Sequence, residues 1–146
     1  MGLEFAMEYR ARWSDMDFNQ HMRNASFLAY AEDTRMGYLA AAGWTMPEFE
    51  RLRFGPVVLE DRLIYKKELK LLETFKVDIA LSGMNGSGSR MRVVNRFYKV
   101  ENAEIAATVE STVLWLDLDR RKSITPPPAL LEHWTALPKT DDFSIF

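Results

Sequence analysis

The sequence contains no cysteine and only two histidines, His21 and His133, among its 146 residues. The absence of cysteine excludes disulfides, thiolate nucleophiles and cysteine-based zinc sites, and it suits a reducing compartment. The two histidines lie far apart in the sequence, so a histidine cluster that binds a metal is not expected. We therefore expect neither a metal ion nor another cofactor.

The sequence also lacks a strong excess of charge and a long apolar segment. Its 19 basic and 21 acidic residues leave a formal net charge of -2, which argues against a nucleic-acid partner bound through a basic surface. No apolar run approaches the length of a membrane span, and Glu4, Glu8 and Arg10 interrupt the region where a signal peptide would have its apolar core. These features predict a cytoplasmic protein without a membrane partner.

Length and periodicity predict one α+β domain that spans the whole chain. The composition, 47% hydrophobic and 27% charged, is that of a soluble globular protein with a single core. Apolar residues at helical spacing predict a long helix over residues 25–42, capped by Gly43, with Glu32, Asp33 and Arg35 away from its apolar face. Alternating or branched apolar residues predict five strands, over residues 5–13, 57–67, 74–81, 90–100 and 105–118.

Shorter elements connect these strands and end the chain. Residues 46–53 are typical of a short helical turn, and residues 129–134 of a last short helix before a polar tail. The Asn85-Gly86 pair is a strong hairpin signal, so the strands on either side of it are expected to pair antiparallel. One long helix cannot cover both faces of such a sheet, and we therefore expect copies of the chain to associate.

The segment between the first strand and the long helix carries an unusual density of polar side chains. It runs Trp13-Ser14-Asp15-Met16-Asp17-Phe18-Asn19-Gln20-His21-Met22-Arg23-Asn24, with Asn24 as the expected helix cap. A helix N-terminus presents unpaired N–H groups that can hold an anion or a developing oxyanion. A carboxylate such as Asp17 beside them could attack an electrophilic carbonyl or activate water. The alternative is that these residues only form turns and caps, and that His21 is structural.

This run resembles the W-S-D-x-D-x-N-x-H-x-x-N pattern of the hotdog-fold acyl thioesterases. The pattern occurs in acyl-CoA thioesterases of the hydroxybenzoyl-CoA thioesterase type and in the acyl-carrier-protein thioesterases of plastids. The resemblance covers nearly the whole chain, and it implies a hotdog fold in which a five-stranded antiparallel sheet wraps around one long central helix. It also implies a homodimer or homotetramer with the site at the interface between protomers.

The resemblance further implies hydrolysis of an acyl-CoA or acyl-carrier-protein thioester. Asp17 matches the catalytic carboxylate, and Asn19 and His21 match the residues that join it in the acyl-carrier-protein enzymes. Their expected roles are orientation of the carbonyl or of water, with His21 also a possible proton relay. Many bacterial members have glycine where this chain has Gln20, which puts a close approach of the backbone to the thioester in doubt.

Other residues are candidates for contacts with the substrate. Arg23 and Asn24 belong to the same run, and Arg23 could meet a carboxylate, a substrate phosphate or only solvent. The phosphates of coenzyme A need cations, for which the candidates are Arg90, Arg92 and Arg96, or residues 120–122, although such charges are usually just solvated. The residues that could line an acyl tunnel, or belong to ordinary core, are Phe27, Tyr30, Met36 and Tyr65.

Two other functions remain open. The first is a non-catalytic module that binds acyl thioesters, because the fold alone does not settle function. The second is an enoyl-thioester hydratase or dehydratase of the hotdog class. In the signature of those enzymes the histidine follows the aspartate by five positions, whereas His21 follows Asp17 by four. This spacing favours the thioesterase.

Overall fold

Residues 4–146, which the computed structural model describes, form a curled sheet that wraps around one long helix. The elements in chain order are β1 (Ala6–Arg10), α1 (Asn24–Ala41), α2 (Met46–Leu52), β2 (Phe54–Tyr65), β3 (Thr74–Asp78), β4 (Ala80–Met84), β5 (Arg90–Lys99), β6 (Ile105–Asp117), β7 (Lys122–Ser123), α3 (Pro128–Thr135) and β8 (Lys139–Ile145). Within residues 4–146, no helix is both long and apolar enough to cross a membrane.

The strands form one sheet with β5 at its centre. β6 lies on one side of β5 and is followed by β2 at the edge, while β3 and β4 lie end to end on the other side. β1 pairs with β3, and β8 pairs with β4. Every pairing is antiparallel except the one between β4 and β8. The hotdog architecture is therefore confirmed, as is the antiparallel pairing around the Asn85-Gly86 hairpin.

The sheet has eight strands within residues 4–146, whereas the sequence predicts five. The strand expected over residues 74–81 breaks at Ile79, where the Nδ2 group of Asn95 and the backbone N–H of Arg96 bind the carbonyl and carboxylate oxygens of Asp78. The two additional strands are the short β7 and the C-terminal β8. The segment expected to be a polar tail forms β8 because its backbone pairs with β4. This pairing is a long-range contact, and the polar side chains of the segment do not indicate it in the sequence.

The N-terminal half of α1 packs on the inner face of the sheet through aromatic rings. The ring of Phe27 lies 5.2 Å from that of Phe97 on β5, and Tyr30 meets Phe75 on β3 edge-on at 5.0 Å. Each such pair stabilises the fold by about 1 kcal/mol beyond the apolar area that it buries. The contacts fix the start of the helix beside the loop that precedes it and beside the end of β2.

The edge strand β2 leaves apolar surface uncovered in the protomer. It pairs only with β6, and its exposed apolar residues are Val57, Val58, Leu59, Ile64 and Tyr65. An edge strand also presents a row of free backbone N–H and C=O groups. β2 is therefore the part of the described sheet best suited to contact another chain.

We expect the free energy of unfolding to fall as the pH rises from about 10 to about 12, because two buried tyrosines keep their protons in the folded state. Burial raises the pKa of Tyr38 to about 12, and burial with the hydrogen bond to Asp15 raises that of Tyr30 to about 12. The unfolded chain releases both protons near its ordinary tyrosine pKa. The stabilisation is thus complete below that pH and is lost above it, by about 2 kcal/mol for each tyrosine.

Urea denaturation at a series of pH values measures this loss. Tyr38→Phe removes one of these groups, so the fall in stability over this range should be less steep in that variant. A slope equal to that of the parent would show that Tyr38 does not hold its proton in the way described.

Candidate active site

The loop before α1 is a tight turn closed by backbone pairing. Met16 and Met22 form an isolated antiparallel bridge, and the N–H of Asp17 donates to the carbonyl of His21 at 2.8 Å. The N–H of Gln20 donates to the carbonyl of Asp17 at 3.0 Å. The turn therefore holds Asp17 and His21 on one side of the loop, next to the start of the helix.

The carboxylate of Asp17 stabilises the turn and is also exposed to the cavity. Its Oδ1 atom accepts hydrogen bonds from the backbone N–H of Asn19, at 2.8 Å, and of His21, at 3.1 Å. The side chain is nevertheless exposed, and it lines a cavity. One oxygen thus has the structural role expected of a turn residue. The carboxylate as a whole is exposed and remains accessible to a ligand.

This cavity has a volume of about 300 Å³ and lies between the loop, the start of α1 and the end of β2. It brings together three of the residues expected in the site, Asp17, His21 and Asn24. Phe27 and Tyr65, expected near an acyl group, also line it, and their rings meet edge-on at 5.4 Å. The wall at the end of β2 is completed by residues 66–68.

The helix start lacks the expected cap. Asn24 is the first residue of α1 rather than its cap, and the capping position is occupied by Arg23, which makes no side-chain capping hydrogen bond. The guanidinium of Arg23 has only donor groups and so cannot accept from the N–H groups of the first turn, while its backbone N–H donates to the carbonyl of Asp15 at 2.9 Å. The first turn of α1 therefore has no capping side chain, although the N–H of Ser26 donates to the carbonyl of Arg23 at 3.0 Å, and Asn24 at the start of the helix lines the cavity.

The two aspartates of the loop have different environments. Asp15 is 4% exposed and accepts hydrogen bonds from the hydroxyl of Tyr30, at 2.5 Å, and from the backbone N–H of Arg12, at 2.9 Å. Burial alone would raise the pKa of Asp15, but the hydrogen bonds and the nearby guanidinium of Arg12 outweigh it and hold this pKa below its ordinary value. Asp15 is therefore ionised and connects the loop to α1. Of these two aspartates, Asp17 is the one whose exposed carboxylate can react with a substrate.

The remaining candidates do not line the cavity. Asn19 and Arg23 are exposed beside it. The guanidinium of Arg92 donates to Ser144 at 2.8 Å and lies 4.6 Å from the ring centre of Phe146, at the opposite end of β5. Arg90 lies farther along the same strand, and about 17 Å of strand separate Arg92 from Phe97, the β5 residue nearest the cavity. Within one protomer the structure thus does not bring Arg90 or Arg92 to Asp17, and their contact with the substrate stays a prediction.

Three further candidates from the sequence have structural partners. Arg96 makes an ion pair with Asp78 at 2.7 Å, Tyr30 binds Asp15, and Met36 packs in the other half of the core. The cations that do line the cavity are Lys66 and Lys67, both exposed. Sequence reasoning missed them, although two adjacent lysines at the end of a predicted strand were a usable signal.

A second cavity, of about 510 Å³, lies between β1, β3 and β5. It is larger, but Asp78, the one aspartate among its lining residues, forms an ion pair with Arg96. Its lining also includes no residue from the start of a helix. Within residues 4–146, no three histidine, aspartate or glutamate side chains converge in a way that could hold a metal ion. The smaller cavity is therefore the better candidate for an active site.

Gln20 adopts a left-handed backbone conformation, with φ of 62°. Residues other than glycine adopt this conformation at a cost of about 1–2 kcal/mol, which explains why glycine suits this position of the turn.

We expect Gln20→Gly to raise the melting temperature by about 2 °C, because the relief of strain exceeds the entropy cost of glycine. Circular dichroism on heating measures the change. The β-branched Gln20→Val should melt below the parent, and a glycine variant that did the same would contradict the strain.

One long helix wrapped by a curled antiparallel sheet, with two aspartates in the loop before the helix, is the architecture of a hotdog protein. A family model described as the thioesterase-like superfamily matches residues 11–134, and the chain belongs to that superfamily.

Solved structures show the same fold. A protein of Staphylococcus aureus, solved in complex with CoA, is 20% identical, with a TM-score of 0.84 over 94% of this chain and 88% of that one. A 1,4-dihydroxy-2-naphthoyl-CoA thioesterase from Synechocystis is 13% identical, with a TM-score of 0.82 over 91% and 96% of the two chains. A DHNA-CoA thioesterase from Staphylococcus aureus is 20% identical, with a TM-score of 0.78 over 90% and 89%.

Proposed function

We propose that this protein hydrolyses acyl-CoA thioesters at the cavity that contains Asp17. The observation that carries the proposal is the exposed carboxylate of Asp17 in a cavity at the start of α1, where no side chain caps the helix. Membership of the thioesterase-like superfamily supports a thioester hydrolase, and the structural neighbours named as CoA thioesterases support CoA as the carrier. An acyl carrier protein is the alternative carrier.

The reaction needs a nucleophile and a site for the developing negative charge. A carboxylate oxygen of Asp17 attacks the thioester carbonyl carbon, the C–S bond breaks, coenzyme A leaves as its thiolate, and water then hydrolyses the mixed anhydride. In the alternative route Asp17 takes a proton from water, that water attacks the same carbon, and the C–S bond breaks so that coenzyme A again leaves as its thiolate. In both routes the N–H groups at the start of α1 stabilise the oxyanion, a contribution of about a hundredfold in rate.

The neighbouring side chains have supporting roles in this proposal. The imidazole of His21 lines the cavity and positions water or passes a proton to the leaving group. Asn19 holds Asp17 through its backbone N–H, and its exposed amide is free to orient the carbonyl of a bound substrate. Lys66 and Lys67, exposed at the wall of the cavity, provide the positive charge that the phosphates of coenzyme A require.

We also propose that the active form is a homodimer, or a tetramer built from dimers, joined through β2. The apolar surface of this strand is uncovered in one protomer, and Tyr65, at its end, belongs to the cavity. Phe18, in the loop before α1, is a second uncovered apolar surface, with 101% of its side chain exposed. A second copy would cover both surfaces and complete the cavity.

The decisive experiment measures free thiol released from a panel of CoA thioesters, from acetyl through long-chain and aromatic acyl groups. We expect release from part of the panel. Binding of the thioesters without release of thiol would show a non-catalytic module. Hydration of crotonyl-CoA without release of thiol would show a hydratase. Parallel reactions with acyl carrier protein as the carrier compare the two carriers directly.

A further inference from the structure

The cavity that contains Asp17 has a charged rim and an apolar floor. The charged residues of its lining are all exposed, and they are Asp17, Lys66, Lys67 and Glu68. Two apolar residues of the lining are almost fully buried, since Met22 is 5% exposed and Phe27 is 2% exposed. A residue that lines an open cavity and is nevertheless buried lies at the bottom of that cavity. Met22 and Phe27 therefore form the floor.

Packed aromatic rings lie behind this floor. The ring centre of Phe27 lies 5.2 Å from that of Phe97, and Phe97 stacks on Phe75 with the ring centres 5.9 Å apart. Phe75 and Phe97 are fully buried, and the three rings belong to one core cluster. Because protein interiors are packed as densely as organic crystals, an acyl chain cannot pass Phe27 unless a ring moves.

Phe27 separates the cavity from the interior of the sheet. It contacts Tyr65, which lines the cavity, at 5.4 Å, and it contacts Phe97, which does not line it. Tyr65 is 46% exposed and belongs to the side of the cavity that the proposed partner copy would cover. The second cavity, between β1, β3 and β5, shares no lining residue with this one. The floor is thus formed within one protomer.

The volume of the cavity sets a scale for the acyl group. A cavity of about 150 Å³ is large enough for one benzene molecule, which has six carbons. The Asp17 cavity, at about 300 Å³, has about twice that volume. It also has to hold the thioester group, the adjoining part of coenzyme A and a water molecule. Room for about six acyl carbons therefore remains.

We propose that Phe27 limits the length of the acyl group, and that the preferred substrates carry acyl groups of about six carbons or fewer. The inference rests on the proposed thioesterase function and specifies its substrate class. A short acyl chain packs against Met22, Phe27 and Tyr65, which remove its methylene groups from water. A longer chain has to displace the ring of Phe27 or leave its end in water, and either outcome weakens its binding in the transition state.

The test measures thiol release from straight-chain CoA thioesters, from acetyl-CoA to palmitoyl-CoA. We expect kcat/KM of the parent to fall by about tenfold or more from hexanoyl-CoA to decanoyl-CoA. Phe27→Ala removes one ring from the floor and makes room for about six further carbons. It should therefore raise the ratio of kcat/KM for decanoyl-CoA to that for hexanoyl-CoA by about tenfold or more. Phe27→Leu should shift this ratio in the same direction by a smaller factor, and it decides the question if Phe27→Ala does not fold.

Phe49→Ala is the matched control for the loss of a buried ring. Phe49 packs against Phe54 and Trp115 in the other core cluster, and it lines neither of the two cavities. The control variant loses a comparable amount of core packing, but its ratio should equal that of the parent. Phe49→Leu accompanies Phe27→Leu in the same way. An equal shift in the Phe27 and Phe49 variants would assign the effect to a loosened core and would contradict the inference.

Two further results would overturn the inference. The first is a parent that hydrolyses decanoyl-CoA as efficiently as hexanoyl-CoA, and the second is a ratio that both Phe27 variants leave unchanged. The proposed function fails separately. A parent that releases no thiol from any thioester refutes that function, whereas release that does not fall with chain length refutes only the role of Phe27.

Discussion

Asp17→Asn is expected to lower kcat/KM for thiol release by about a thousandfold or more while the protein keeps its fold. An amide is neither a nucleophile toward a thioester nor a base for water, so both proposed routes stop. The amide oxygen can still accept the hydrogen bonds that the backbone N–H groups of Asn19 and His21 give to Oδ1. The loop is therefore preserved, and the loss of rate reports on the chemistry alone.

Asp17→Ala is the matched control for the structural role of this side chain. It removes the acceptor of the two hydrogen bonds as well as the reactive carboxylate, and we expect it to cost about 1–2 kcal/mol of stability that the asparagine variant retains. A thiol-reactive dye measures the reaction, and thermal unfolding measures the stability. If the asparagine variant hydrolysed the panel as fast as the parent, Asp17 would have no part in the reaction, and only its role in the turn would remain.

The core of the candidate site could be predicted from the sequence because it is local. Asp17, His21 and Asn24 lie within one short turn that leads into a helix, and the turn and helix signals fix their relative positions. The difference between Asp15 and Asp17 was not predictable from the same run. It depends on Tyr30, fifteen residues away, whose hydroxyl binds Asp15 and connects the loop to α1.

The parts that the sequence did not predict depend on long-range contacts. Lys66 and Lys67 reach the cavity only because the register of β2 on β6 places Tyr65 opposite Ala107, near the start of α1. The register of β5 on β4 and β6 places Arg92 opposite Gly83 and Thr112, toward the other end of β5 and beside Ser144. The adjacent lysines at the end of a predicted strand mark a charged strand end, but no local pattern gives the register that brings this strand end to the cavity.

Arg35 shows a limit of helical periodicity. A charged residue on a helix is expected to face solvent, and helical periodicity predicts that Arg35 lies away from the apolar face. The structure buries it, and the hydroxyl of Ser111 on β6 binds Asp61 on β2. Only the sheet brings these residues together, since they come from β2 and β6.

Leu59→Lys is expected to dissociate the proposed dimer and to reduce thiol release with it. Leu59 is 50% exposed in the middle of β2, at an irregularity between Val58 and Glu60 where it has no partner on β6. A lysine there leaves the pairing within the protomer intact, but it places a charge in an apolar contact between copies. We expect the dissociation constant of the dimer to rise by about a hundredfold or more. Sedimentation of the two proteins over a range of concentrations measures the shift.

The fall in rate follows from the position of the cavity on the same strand. Tyr65, at the end of β2, lines the cavity, so loss of the partner opens the site to water and removes the surface that completes it. Ile145→Lys is the control, since Ile145 is 62% exposed on β8, which β4, β5 and β6 separate from β2, and the same charge there should change neither the mass of the particle nor the rate. A Leu59→Lys variant that stays dimeric would place the interface elsewhere. A monomeric variant with the full rate would show that one protomer contains the complete site.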